Sequence, residues 1–166
     1  MRSPASFHRG TGHRGMTLVE VLIVIALFGI LSMAGMAFTS GWVNSNRVLD
    51  GENLMRQAFS RAKATALRNQ FGITGTEPAA VICIANDLLT VRGAPSTANA
   101  ASCSSTNILW RTELSPLLDI QAGGANLSCA CLSNKGRLTS SSCATCATTS
   151  TITLSSGDED VSVTLL

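Results

Sequence analysis

The sequence has no tyrosine, two tryptophans and only 4% aromatic residues, and its Asp, Glu, Lys and Arg together make up 13% of 166 residues. So few large aromatics point to a small core that needs help from other staples. Its two histidines, His8 and His13, both lie before Gly15, so the rest of the chain has no imidazole to serve as a general base. Arg2, Arg9 and Arg14 also precede Gly15, and without them nine basic residues face ten acidic ones. A chain that close to neutrality has no global pull toward nucleic acid or anionic lipid. The carboxylates Glu77, Asp87, Glu113 and Asp119 are scattered, and Asp158-Glu159-Asp160 reads as a soluble turn before it reads as a calcium site. No internal repeat is present and no catalytic constellation forms; neither an enzyme nor a cofactor is expected.

What the chain has in excess is a single apolar run. No charged residue occurs from Val21 to Val43, and this run accounts for much of a mean hydropathy of +0.28. As a helix rising about 1.5 Å per residue, it reaches roughly 30 Å, the thickness of a bilayer core. The arginines on its N-terminal side predict a cytoplasmic N-terminus and an exported remainder. Glu20 stands directly before Val21, one turn into the apolar segment that opens at Met16, and an ionisable residue there is a functional hypothesis by default. Two plainer readings compete. A secretory signal cut after Ala34 or Ala37 would leave Glu20 unexplained. A simple anchor would have Glu20 snorkel toward the headgroups.

All six cysteines, Cys83, Cys103, Cys129, Cys131, Cys143 and Cys146, lie beyond the run, as suits an oxidising compartment. Six cysteines allow fifteen pairings and the sequence does not choose among them. Cys129-x-Cys131 with Cys143-x-x-Cys146 also admits a tetrahedral zinc reading, although the first spacing is tight and the compartment favours disulfides. A thioredoxin-like role for Cys143-x-x-Cys146 lacks the βαβ setting it needs.

Beyond the run, Val48, Met55, Phe59, Ala62 and Ala66 recur at helical spacing, with Glu52 and Arg56 as an i,i+4 pair on the polar side. One helix is predicted from about Thr17 to about Gln70, softened at Gly41 and Gly51 and stopped by Gly72. After Gly72 the spacing predicts strands at Ala80–Ala85, Leu88–Val91, Ile108–Leu114, Leu117–Gln121, Ala125–Leu132, Thr151–Ser155 and Val161–Leu165. Gly93 to Ser105 reads as a surface loop, and Ser156 to Asp160 as the turn of a closing hairpin. A long helix on a small antiparallel sheet is an α+β architecture.

Arg14-Gly15-Met16-Thr17-Leu18-Val19-Glu20-Val21-Leu22-Ile23-Val24 resembles the cleavage and methylation motif of type IV pilins and type II secretion pseudopilins. The resemblance implies cleavage after Gly15 by a membrane prepilin peptidase, and methylation of the new N-terminus, Met16, by the same enzyme. It implies that Glu20 pairs with the N-terminal amine of a neighbouring subunit inside a filament. Domains follow: a leader over 1–15, a membrane and filament-core helix over 16–43, and a periplasmic globular domain over 44–166. Leu54 to Arg68 and Ala130 to Leu138 are similar to the helix and the strand-turn-glycine element of the GspH/FimT branch. The partners so implied are the inner membrane, the peptidase and other pilins or pseudopilins. Some relatives in that branch bind DNA through a basic C-terminal segment. Here the chain ends Val161-Ser162-Val163-Thr164-Leu165-Leu166, so nucleic acid is not an expected partner; the remaining basic cluster is Arg56, Arg61, Lys63 and Arg68.

Overall fold

The structure is a computed structural model that describes residues 15–140 and 146–165, apart from the side chains at 34–38 and 40. Its one long helix, α1, runs Leu18–Arg68. The chain divides into two compact units, Met1–Thr39 and Ser40–Leu166.

In the second unit, α1 supplies one wall of the core. Val48, Met55, Phe59, Ala62 and Ala66 are all buried, as their spacing predicts, and Ala58 joins them. Small residues on this face let the helix sit close to the layer beneath. Gly51 is the extreme case: a Cβ there would overlap Leu118 Cδ2 and lie 3.1 Å from Leu154 Cδ2. Gly51 is therefore a contact point inside an unbroken helix, where the sequence suggested a soft spot. On the outer side, Arg56 Nε donates to Glu52 Oε1 at 2.8 Å. The helix stops earlier than Gly72. Asn69 takes a left-handed φ of +41°, which asparagine tolerates better than most residues. Its side chain then bonds both backbone groups of Ile73, each at 2.8 Å. Gly72 (φ +66°) only completes the turn.

The strands form two antiparallel sheets, more than the single sheet expected. β1 (Pro78–Ala85), β2 (Leu88–Gly93), β3 (Ile108–Glu113), β6 (Cys129–Ser133) and β7 (Leu138–Thr139) make the first, in the order β3-β2-β1-β6-β7. β4 (Asp119–Ala122), β5 (Ala125–Asn126), β8 (Thr151–Ser156) and β9 (Glu159–Thr164) make the second, in the order β5-β4-β8-β9. The expected strand Ala125–Leu132 is in fact two. Leu127 N–H donates to Ile120 O of β4 at 2.8 Å, while Ser128 O accepts from Ile84 N–H of β1 at 2.8 Å. The chain crosses from one sheet to the other within that dipeptide. β7 was not foreseen, being only two residues long. The closing hairpin is tighter than expected: Ser156 pairs with Glu159, leaving Gly157 (φ +59°) and Asp158 as the loop. Glycine at the first of two loop positions is the type II′ pattern.

β1 is buried on both faces, and its alternation sorts it between two clusters. Ala80 and Ile82 face the main core with α1, whereas Val81 and Cys83 join Ala101, Cys129 and Cys131 in a second, smaller cluster. The stretch after β2 covers that second face. Ala101 N–H donates to Pro78 O at 2.8 Å, and Arg92 Nη1 to Ser105 O at 2.7 Å.

Candidate functional site

Gly15, Met16 and Thr17 lead directly into α1. Thr17 is its N-cap: its hydroxyl accepts the Glu20 N–H at 3.3 Å, and its carbonyl accepts from Glu20 N–H at 3.1 Å and Val21 N–H at 3.2 Å. Thr17-x-x-Glu20 is the spacing of a capping box, so Glu20 occupies the one turn where a carboxylate also meets the positive end of the helix dipole. Thr17 is thus a functional neighbour of Glu20 that the Thr-x-x-Glu spacing could have revealed.

From Gly15 to Met33 every residue is exposed. Apolar side chains point in all directions; Leu18 is 77% exposed, Ile25 62% and Phe28 66%. A helix apolar on every side has to be covered by lipid or by other helices, since no single stripe can bury it. The Ser32 hydroxyl donates to Phe28 O at 2.7 Å, so this polar group is satisfied within the helix. Among the described residues no helix is long and apolar enough to cross a membrane. The expected span Val21–Val43 includes 34–38 and 40, whose side chains lie outside the described residues.

Among the described residues four cysteines form two pairs. Cys83 bonds Cys103, tying β1 to the covering stretch, and Cys131 bonds Cys146, each with Cα atoms 5.7 Å apart. Cys129 is buried, its sulfur within 4.8 Å of those of Cys131 and Cys146, and Cys143 lies outside the described residues. With Cys131 and Cys146 joined to each other, the four-thiolate zinc set loses two of its ligands.

The cations that sequence grouped on the helix are dispersed. Arg56 is held by Glu52, and the Arg61 guanidinium lies over the Trp110 ring at 4.6 Å from its centroid. Lys63 instead meets Lys135 and Arg137 around an open hollow also lined by Gly136, Leu138, Thr148 and Ser150. Spacing along α1 could not reveal that grouping, because it depends on where the β6–β7 turn lands. Glu77, Asp87, Glu113 and Asp119 are exposed; Asp87 and Glu113 come together where β2 meets β3, with Leu114 N–H donating to Asp87 O at 2.7 Å, and Asp158, Glu159 and Asp160 are exposed at the closing hairpin.

Residues 11–36 match the family profile described as the prokaryotic N-terminal methylation motif. No curated protein and no solved structure matches the chain. The matched stretch contains Gly15, Met16, the Thr17 cap and Glu20, and its methylation motif supports the pilin and pseudopilin class.

Proposed function

We propose, for a chain that carries the prepilin-type signal of type IV pilin-like proteins, a structural, non-enzymatic role as a minor pilin or pseudopilin of the GspH/FimT type. Its helix anchors it in the bacterial inner membrane with the N-terminus cytoplasmic and the globular unit periplasmic. It is cut after Gly15, methylated at Met16 and drawn into a type IV pilus or a type II secretion pseudopilus. There it supports pilus assembly, adhesion or twitching, or the export of folded proteins.

One observation carries this reading: the matched motif coincides with a helix segment that is apolar on every side and holds a single carboxylate, Glu20, in its first turn. Once such segments bundle, the carboxylate leaves water. A buried charge is tolerated when an opposite charge meets it, and the amine released at Met16 is that charge on a neighbouring subunit. The GspH/FimT assignment draws support from Leu54 to Arg68 forming the helix wall of the core, and from Gly136 (φ +68°) at the turn between β6 and β7.

The test separates charge pairing from helix capping. Glutamine at position 20 preserves a capping box but not the charge. Both Glu20→Gln and Glu20→Ala are expected to be processed and then excluded from filaments, as read by immunoblots of sheared filament fractions. Normal incorporation of Glu20→Gln would show that the charge is not needed and overturn the pairing mechanism. Intact-mass measurement of the native protein checks processing: loss of Met1–Gly15 and gain of one methyl group is the expected result.

A second reading, DNA capture, is favoured by the Lys63, Lys135 and Arg137 hollow alone. Three cations neutralise about three phosphates, so affinity would drop about 40-fold between 50 and 200 mM salt. A gel shift at micromolar protein that weakens by this factor at the higher salt would give this reading precedence, and the absence of any salt-sensitive complex would eliminate it.

A further inference from the structure

Trp42 is 70% exposed, and nothing in the assembly mechanism uses it. It is the penultimate residue of the uncharged run, and Asn44, Asn46, Arg47 and Asp50 follow directly. Its ring borders a shallow hollow with Val43, Asn46, Arg47 and Asp50. Two of those polar neighbours are otherwise engaged: Asn46 Nδ2 donates to Trp42 O at 2.9 Å, and Arg47 Nη1 to Asn44 Oδ1 at 2.9 Å. Among the described residues the indole N–H has no acceptor. The other tryptophan, Trp110, is half-buried beneath Arg61, and the sequence has no tyrosine. Among the described residues Trp42 is thus the single exposed amphipathic aromatic, and it stands where the apolar run gives way to polar residues.

We infer that Trp42 is an outer-leaflet anchor: its ring lies at the boundary between headgroups and acyl chains while the subunit waits in the bilayer. The inference rests on the membrane-anchored reading above and extends it by naming the residue that sets how deep the helix sits. An indole is suited to that layer because its flat apolar body inserts while its N–H reaches headgroup oxygens or water. With Glu20 near the opposite end of the run, the uncharged stretch between them is about the length of the hydrocarbon layer, so both markers can be at their interfaces at once. Electrostatic attraction does not do the same job. Gly157 approaches Asn44, and its neighbours Asp158, Glu159 and Asp160 are exposed; with Asp50 these carboxylates outnumber the one cation beside Trp42, Arg47, so an anionic surface would repel this end of the globular unit. The contact is accordingly one of aromatic partition, insensitive to salt.

The full-length chain carrying Trp110→Phe, reconstituted in phosphatidylcholine vesicles, leaves Trp42 as the sole fluorophore. Its emission is expected to shift to the blue relative to the chain in denaturant. Bromines placed high on the acyl chains should quench it roughly twofold more than bromines near the chain ends. Aqueous iodide should quench it weakly at low and high salt alike. If Trp110→Phe compromises the fold, the difference between wild type and Trp42→Phe supplies the same signal. Carbonate extraction distinguishes the two layers of the claim. A protein that resists extraction while its Trp42 is red-emitting and open to iodide would overturn the anchor and keep the membrane reading. Stronger quenching by the deep bromines would also overturn it, placing the ring within the hydrocarbon. Release by carbonate would overturn both.

Discussion

Gly51 offers a sharp test of how closely α1 lies on the second sheet. In an exposed helix interior, replacing glycine by alanine stabilises by about 1 kcal/mol, because alanine surrenders less backbone entropy. At Gly51 the new methyl would overlap Leu118 Cδ2 and stand 3.1 Å from Leu154 Cδ2. Leu154 is fully buried and has little room, while Leu118 is half-buried and can shift at a cost. Overpacking of this kind costs about 1–3 kcal/mol. The packing term outweighs propensity, and Gly51→Ala is expected to destabilise by about 1 kcal/mol, a fall in Tm of roughly 3–5 °C. Removing the Leu118 methyls should reverse that balance. In a Leu118→Ala background, Gly51→Ala should cost about 1–2 kcal/mol less than it does alone. Urea unfolding of the four members of this cycle in mild detergent, followed by circular dichroism, gives the numbers. Additivity within about 0.5 kcal/mol, or stabilisation by Gly51→Ala on its own, would refute the close approach.

Other outcomes follow from the staples and the helix end. Replacing Cys83 and Cys103 together by alanine opens a loop of 20 residues and should cost about 3 kcal/mol in denaturant titrations. Under reduction, each cysteine engaged in a disulfide should add the mass of one hydrogen, and Cys83, Cys103, Cys131 and Cys146 set the minimum gain. Asn69→Ala should destabilise by about 1–2 kcal/mol more than Asn69→Gly, since glycine keeps the left-handed conformation and alanine does not.

Much of the helix was legible because its information is periodic. Val48, Met55, Phe59, Ala62 and Ala66 announce a buried face at a fixed spacing, and each is buried. The Glu52–Arg56 pair is equally local. Chain reversal was harder to read: Gly72 looked like the stop, yet Asn69 ends the helix through side-chain bonds to Ile73 that no propensity scale encodes. The sheets were misread where a run of similar residues crosses between them at Leu127 and Ser128, because Ala125 to Leu132 contains no glycine or proline to mark the break. Cysteine pairing was closed to sequence for a geometric reason, as it depends on which loops the sheets bring together. The matched N-terminal motif is local: Gly15, Met16 and Glu20 lie within six positions of one another and could be picked out as candidates without coordinates, while the Thr17 cap went unnoticed beside them.

The crossing at Leu127 and Ser128 leaves no slack between the two sheets. A single inserted residue there would turn β6 over, sending Cys129 and Cys131 toward the helix and Ala130 and Leu132 toward the covering stretch. The Cys131–Cys146 bridge would lose its partner, and the hydrocarbon wall beneath α1 would be replaced by sulfur. For the same reason, tension applied to the closing hairpin is passed through β4 and this dipeptide straight into the central strand β1. A subunit loaded along a filament would therefore bear strain with both sheets together, and would not shed them one after the other.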